Sequence, residues 1–244
     1  MAERTGVYFV SDVHLGLKNK DPEERERRFV SFLKSIPAGS TASLYLLGDI
    51  WDFWYEYRDV IPKEGTRVIA ELIRLMDGGV EVYFAEGNHD MWTFSYLESL
   101  GVRKISQPYR VNIGGKDFCV GHGDGLGGAD FGYRLMSAVF HSRVARALFS
   151  TLHPTLAFRF GCGWSSSNRK KHQLYTFSGE QEPLYRFAVE ESSRQHTDYF
   201  VFGHFHDKAD ITLPDGARLF LLKDWMDGGE PHLFYDSATG EIRF

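Results

Sequence analysis

Short apolar runs that stop abruptly at polar, glycine-flanked clusters set the rhythm of this chain. The run 7–10 enters Ser11-Asp12-Val13-His14, the run 44–47 enters Gly48-Asp49, and the run 80–85 enters Glu86-Gly87-Asn88-His89-Asp90. Compact apolar runs bounded by turn formers read as buried strands. Between them lie stretches of helical period. Residues 23–34 carry Phe29, Phe32 and Leu33 on one side, and residues 67–76 carry Val68, Leu72 and Leu75 before Gly78-Gly79 stops them. Strands alternating with helices predict βαβ units and a largely parallel sheet covered on both faces.

The pattern changes after about residue 101. Residues 109–113, Gly114-Gly115 and 117–120 predict a hairpin whose second strand ends in Gly121-His122-Gly123-Asp124. Residues 130–172 predict an inserted helical segment, broken in two at Pro154 because proline cannot continue a helix. Residues 180–195 predict a further helix, then 199–202 a strand ending in Gly203-His204-Phe205-His206. The remainder, through 219–222 and 232–235, predicts short antiparallel strands. The 244 residues fit one domain carrying the insert.

Composition narrows the class. A hydrophobic fraction of 43% and a charged fraction of 25% are ordinary for a globular protein with a real core. The net charge of -5 argues against non-specific coating of nucleic acid. Cys119 and Cys162 are too few for a disulfide framework and read as reduced thiols of a cytosolic protein. The start of the chain lacks the cationic, long-apolar form of a signal peptide, and no segment has the length of apolar sequence that spans a membrane. No obligate protein partner is evident.

Five strand candidates thus run into metal-competent sequence: Asp12-x-His14, Gly48-Asp49-x-x-Asp52, Gly87-Asn88-His89-Asp90, Gly121-His122-Gly123-Asp124 and Gly203-His204-x-His206. Any one alone is weak evidence, but five in order are not. In open α/β sheets the ligand crevice lies beyond the carboxyl ends of the strands, so these groups are expected to converge. Carboxylate and imidazole donors suit a pair of divalent ions. We assign Asp12, His14, Asp49 and His206 to one ion and Asp49, Asn88, His122 and His204 to the other, with Asp49 bridging. Two ions roughly 3.5–4 Å apart hold a hydroxide and neutralise the oxygens of an in-line phosphoryl displacement. His89 is expected to stabilise the transition state or protonate the leaving oxygen. Asp52, Asp90 and Asp124 are expected to accept imidazole N–H groups.

This ordered set resembles the calcineurin-like metallophosphoesterase superfamily over residues 7–235. The resemblance implies a four-layer α/β/β/α sandwich and the same ligand assignment. A narrower resemblance lies in Gly48-Asp49-Ile50-Trp51-Asp52-Phe53-Trp54, in Asp130-x-Gly-Tyr133 and in Asn168-x-x-Lys171. These are similar to the UDP-2,3-diacylglucosamine pyrophosphatases of lipid A biosynthesis. That implies hydrolysis of UDP-2,3-diacylglucosamine to UMP and a diacylglucosamine 1-phosphate, usually with manganese. It also implies substrate contacts at Asn88, Asp130, Asn168, Lys171 and His204, with Trp54 nearby; Tyr133 and His89 join the candidate contacts. Well-known members carry Arg where this chain has His89, whereas the wider superfamily carries His. The alternative is a phosphoesterase acting on a soluble phosphodiester, nucleotide or phosphomonoester.

The insert bears on that choice. Residues 130–172 hold seven Lys or Arg against Asp130 alone, a net +6 that leaves -11 for the rest of the chain. Phe140, Val144 and Leu148, at i, i+4 and i+8, are expected to line one helical face. A cationic, apolar hairpin of this kind suits a lid over the metal centre, acyl chains, a diphosphate and an anionic membrane surface. The other reading is a helical pair packed on the main sheet with its arginines in solvent. The aromatic cluster Trp51, Phe53, Trp54, Tyr55 and Tyr57 suits either a ligand wall or ordinary core.

Overall fold

The computed structural model describes residues 3–128, 138–140, 142–161, 163 and 178–244. Two mixed β-sheets stack face to face, and helices cover the outer face of each. The first sheet contains β1 (Gly6–Val10), β2 (Thr41–Leu47), β3 (Glu81–Ala85), β4 (Arg103–Ile105), β10 (Leu233–Asp236) and β11 (Ile242–Arg243), in the order β11-β10-β1-β2-β3-β4. The second contains β5 (Tyr109–Ile113), β6 (Lys116–Val120), β7 (Tyr199–Phe202), β8 (Ala209–Thr212) and β9 (Arg218–Leu221), in the order β5-β6-β7-β9-β8.

Continuous apolar strands make sense once both faces are buried. Successive side chains of a strand point to opposite faces. Val7 and Phe9 of β1, Tyr45 and Leu47 of β2, Phe118 and Val120 of β6, and Val201 of β7 therefore meet between the sheets. Val10, Leu44, Leu46, Val82 and Phe84 turn the other way, toward α1 (Pro22–Ser35) and α2 (Thr66–Asp77). Cys119, Phe200 and Phe202 turn toward Leu184, Tyr185 and Ala188 of a helix at Pro183–Arg194. The result is the expected α/β/β/α sandwich.

Local sequence sets the helix ends. Asp21 caps α1 by accepting from the Glu24 amide at 3.0 Å, and Pro22 occupies a first-turn position where no amide hydrogen is needed. Phe29, Phe32 and Leu33 are buried, each worth about 1.5–3 kcal/mol by transfer from water.

The predicted hairpin forms as β5 and β6, with Ile113 opposite Lys116 across Gly114-Gly115. One expectation needs correction. β9 pairs antiparallel with β8 but parallel with β7, with Phe202 opposite Leu221. The antiparallel reading missed this because a short apolar run carries no direction. β9 therefore sends a further carboxyl end to the same rim as β6 and β7.

Within the insert, Arg143–Ser150 forms α4 and residues 154–161 are also helical; α3 is the short turn Tyr96–Ser99. The chain turns at 151–153, just before Pro154. Phe140 is not on the face of Val144 and Leu148: Ser142 caps α4 after it, accepting from Ala145, and Phe140 packs edge-on against Trp92. Tyr55 donates to the Arg146 carbonyl and Tyr57 to the Leu152 carbonyl, while Phe53 meets Phe149 and Phe158. These aromatics after the Asp49 motif thus seat the insert. No helix among the described residues is long and apolar enough to cross a membrane.

Candidate metal centre

Register puts the key strand ends at one level: Val10 lies beside Leu46 and Leu47 beside Ala85 in one sheet, with Val120 beside Val201 in the other. The loops that follow are stitched together by their own backbones. Asp12 donates to Gly48, Gly203 to His122, and Trp225 back to Asp12. Asp12, His14, Asp49, His204 and His206 all have positive φ, between 51° and 71°. Left-handed backbone is uncommon for residues bearing a Cβ, and such strain concentrates at functional sites. It swings each side chain off its strand direction and into a common crevice.

The side chains meet. His14 Nε2 is 3.3 Å from His206 Nε2 and 3.7 Å from Asp12 Oδ1, which lies 3.3 Å from His206 Nε2. Asp49 Oδ2 lies 3.8 Å from His14 Nε2, 3.9 Å from His89 Nε2 and 3.4 Å from His122 Nε2. His122 Nε2 also faces Asn88 Oδ1 at 3.3 Å, and the His204 ring stands edge-on to His122 with centroids 5.1 Å apart. Asp12, His14 and His122 are wholly buried and Asp49 nearly so; His206 remains partly accessible.

Acceptors hold the imidazoles by their far nitrogens. A carbonyl can only accept, so His122 Nδ1 donates to Leu47 O at 3.0 Å and His89 Nδ1 to Asp52 O at 3.0 Å. His206 Nδ1 lies 3.0 Å from the Asp224 carboxylate, and His14 Nδ1 faces Asp52 at 3.6 Å. Each arrangement directs Nε2 at the crevice, as an outer acceptor does for a metal-binding histidine.

The donor set fits cations. Asp12 Oδ1 is buried without a hydrogen-bond partner, although Oδ2 of the same carboxylate accepts from Ser11 Oγ and the His204 amide. A buried acceptor left facing two imidazole nitrogens is costly unless a cation or proton joins them. Ligands about 2.1 Å from one ion in tetrahedral or octahedral geometry stand about 3 to 3.5 Å apart, close to the spacings found here. Asp12, His14, Asp49 and His206 form one such group, and Asp49, His122 and Asn88 a second.

Charge in the crevice follows the same logic. Burial opposes ionisation of Asp12, but the nearby imidazoles of His14 and His206 hold its carboxyl well below the usual range. Asp49 behaves likewise: His122 and His89 outweigh its burial. Burial would strip the proton from His206, yet Asp12 and Asp224 raise its pKa to about 9. Burial and the neighbouring His122 push His204 down to about 4, so it is a neutral donor at physiological pH.

Two glycines are fixed by close approach. A Cβ on Gly87 would lie 2.2 Å from Asp49 Oδ1, and one on Gly203 would lie 2.3 Å from Asp12 Oδ2. Nothing larger than hydrogen fits between backbone and carboxylate there.

Some expected roles change. Asp90 accepts from the backbone amides of Gly87, Asp49, Ile50 and Trp51 rather than from an imidazole, tying the β2 and β3 loops together. Trp54 is fully buried against Trp51, donating to Glu56, and offers a ligand no surface. Asp52 does face His14 and His89, while Asp124 accepts from Gln107. Asp130, Tyr133, Asn168 and Lys171 lie outside the described residues.

Two residues escaped the sequence reading. Asp224 follows β9, whose parallel direction was not foreseen. Gln107 follows β4, donates to Asp124 and accepts from the Gly123 amide at 2.7 Å, bracing the His122 loop. The strand-end rule, applied to β9, would have found Asp224; no local signal marks Gln107.

A two-sheet sandwich with paired carboxylates and imidazoles at its rim defines a class, and the family model for calcineurin-like phosphoesterases matches residues 6–208. The chain belongs to the calcineurin-like phosphoesterase family. Among its relatives, a protein of Porphyromonas gingivalis named UDP-2,3-diacylglucosamine hydrolase is 36% identical over 91% of each chain. Proteins of the same name from Neisseria meningitidis serogroup B and Aeromonas salmonicida are 32% and 30% identical, over 90% and 91% of this chain and 89% and 86% of their own. Among solved structures, a dimetal phosphatase from Danio rerio superposes with a TM-score of 0.50 at 15% identity, covering 95% of this chain and 92% of that one.

Proposed function

We propose that this protein hydrolyses the pyrophosphate of UDP-2,3-diacylglucosamine, giving UMP and 2,3-diacylglucosamine 1-phosphate. The observation that carries the reading is the 36% identity, over 91% of both chains, with a relative named for that substrate. The metal crevice supports it chemically. Asp12, His14, Asp49 and His206 would hold one divalent ion, and Asp49, Asn88, His122 and His204 the other, with manganese the expected metal. Bound there, the ions supply an activated water and neutralise charge on the phosphoryl oxygens.

The chain's own residues do the rest. Asp49 would be shared by the two ions, and its Oδ1 is fixed by the His89 amide at 2.9 Å. His89, anchored at Nδ1 by the Asp52 carbonyl, presents Nε2 to the crevice, where it stabilises the transition state or protonates the leaving oxygen. Asp52 and Asp224 keep His14 and His206 aimed.

The insert's outward positions favour the lipid-linked substrate over a soluble diester. Val144, Leu148, Leu156 and Phe160 are each more than half exposed. Large apolar groups left exposed on both helices of one insert suit a binding surface, here for acyl chains or the membrane surface that carries them. Asp130, Tyr133, Asn168 and Lys171 remain candidate substrate contacts.

Incubating the purified protein with manganese and detergent-dispersed UDP-2,3-diacylglucosamine is expected to release UMP, and stripping the metal to abolish release. Turnover of soluble diesters with no UMP released would reject the reading.

A further inference from the structure

Residues 51–57 run outward from the metal crevice to the insert and are tied at both ends. At the inner end, Leu15 donates to the Ile50 carbonyl at 2.8 Å and Asp52 to the Leu15 carbonyl at 3.0 Å, which pairs the segment with the loop of His14. Midway, Tyr55 forms a β-bridge with Trp92, three residues beyond His89, and Glu56 donates to the Trp92 carbonyl at 3.3 Å. At the outer end, the Tyr55 and Tyr57 hydroxyls donate to the Arg146 and Leu152 carbonyls of the insert.

Phe53 sits between these ties. Its ring stands edge-on to Phe158 with centroids 5.8 Å apart and to Trp92 at 6.1 Å, and Phe149 lies at 6.3 Å. Gly161, in the second helix of the insert, packs so closely on the ring that a Cβ there would lie 2.4 Å from Cδ2 and Cε2. The carbonyl that accepts from His89 Nδ1 at 3.0 Å belongs to the peptide joining Asp52 to Phe53. A peptide is planar, so the Phe53 Cα shares a plane with that oxygen, and a shift of the ring's stem turns the acceptor. The Asp52 carboxylate faces His14 Nδ1 at 3.6 Å and His89 Nδ1 at 3.8 Å.

We propose that Phe53 is a positioning residue: seated in the insert by Phe149, Phe158 and Gly161, it fixes the Asp52 peptide and thereby the direction of the His89 ring. The insert then acts on the chemical step as well as on substrate holding. The part His89 plays in that step rests on the function proposed above; the mechanical link from Gly161 to His89 does not. A ring turned off its acceptor no longer aims Nε2 at the crevice, and a misplacement of about 1 Å can cost roughly a hundredfold in rate.

The link is read from the ring nitrogens of His89, by nitrogen NMR of isotope-labelled protein loaded with diamagnetic magnesium. The signals are assigned by their loss in His89→Gln. The parent is expected to carry the proton on Nδ1, and Gly161→Ala to share it with Nε2, because the hydrogen bond that selects the tautomer is displaced. Gly163→Ala, whose added methyl meets nothing within 4 Å, is expected to match the parent. Melting curves identify a variant that fails to fold. Phe53→Ala, which removes the ring without a clash, is expected to release Nδ1 independently, and Phe53→Leu, which keeps an apolar group in the seat, to release it less. A His89 ring unchanged in both Gly161→Ala and Phe53→Ala would overturn the inference. In manganese-saturated enzyme, Gly161→Ala is expected to lower kcat at least about tenfold while KM moves less than about threefold. A raised KM with kcat unmoved contradicts the inference, since the insert then only holds substrate. If the parent does not cleave UDP-2,3-diacylglucosamine, the functional proposal fails while the NMR still decides the link.

Discussion

At the scale of single residues the crevice is built from conformations that side-chain chemistry alone does not favour. Five of the seven expected ligands adopt left-handed backbone, and glycines stand where a methyl group would strike a carboxylate. Gly87→Ala is accordingly expected to displace Asp49, with at least a hundredfold loss of activity and loss of bound metal by elemental analysis. Asp90 holds four backbone amides. Asp90→Ala leaves them buried without an acceptor and is expected to cost on the order of 3–5 kcal/mol in urea unfolding. Cys119 makes a further point about burial, which pushes its thiol up to about 12. In a Cys162→Ser background, iodoacetamide at pH 8 is expected to leave the native protein unlabelled and to modify it once unfolded. The candidate donors that meet in the crevice were legible in the sequence because Asp, Asn and His recur at strand ends. The positive φ values were not, since they arise from the loops bonding one another across the rim. Asp90 was misread for the same reason: proximity in sequence to His89 says nothing about which donors the fold delivers.

At the scale of elements, compact apolar runs located β1 to β3 and the β5–β6 hairpin closely, and period-3.6 patterns located α1 and α2, because burial on both faces or on one is what each pattern displays. The short strands β4 and β8 escaped, as did the parallel direction of β9 and with it Asp224. Their pairing comes from neighbours distant in the chain. The insert divides its apolar residues by face. Phe149 and Phe158 pack onto Phe53, Tyr55 and Trp92, while Val144 and Leu148 stand 68% and 66% exposed. Periodicity found such a face without telling which residues would be covered. Because the exposed pair holds no fold together, Val144→Asp/Leu148→Asp is expected to leave the melting temperature within a degree or two. It should weaken sedimentation with anionic phospholipid vesicles by tenfold or more, each lost apolar side chain being worth about 1.5–3 kcal/mol when buried. Unchanged vesicle binding would remove the insert from lipid recognition.

At the scale of the whole molecule, two sheets aligned at their carboxyl edges bring residues from 12 to 224 into one crevice, where protons and metal ions compete. His206 has a pKa raised to about 9 by Asp12 and Asp224. Below that pH the metal-free protein keeps the proton, and an entering ion must displace it. Metal affinity is therefore expected to rise with pH across the neutral range and to level off near 9. Calorimetry at pH 7.5 in buffers of different ionisation enthalpy should report at least one proton released; none would mean that His206 is not displaced. The central claim is the pair of ions astride Asp49. Anomalous diffraction from manganese-soaked crystals tests it most directly. Two peaks roughly 3.5–4 Å apart are expected, one among Asp12, His14 and His206, the other among Asn88, His122 and His204, with the Asp49 carboxylate between them. A single peak, or peaks away from Asp49, would contradict it.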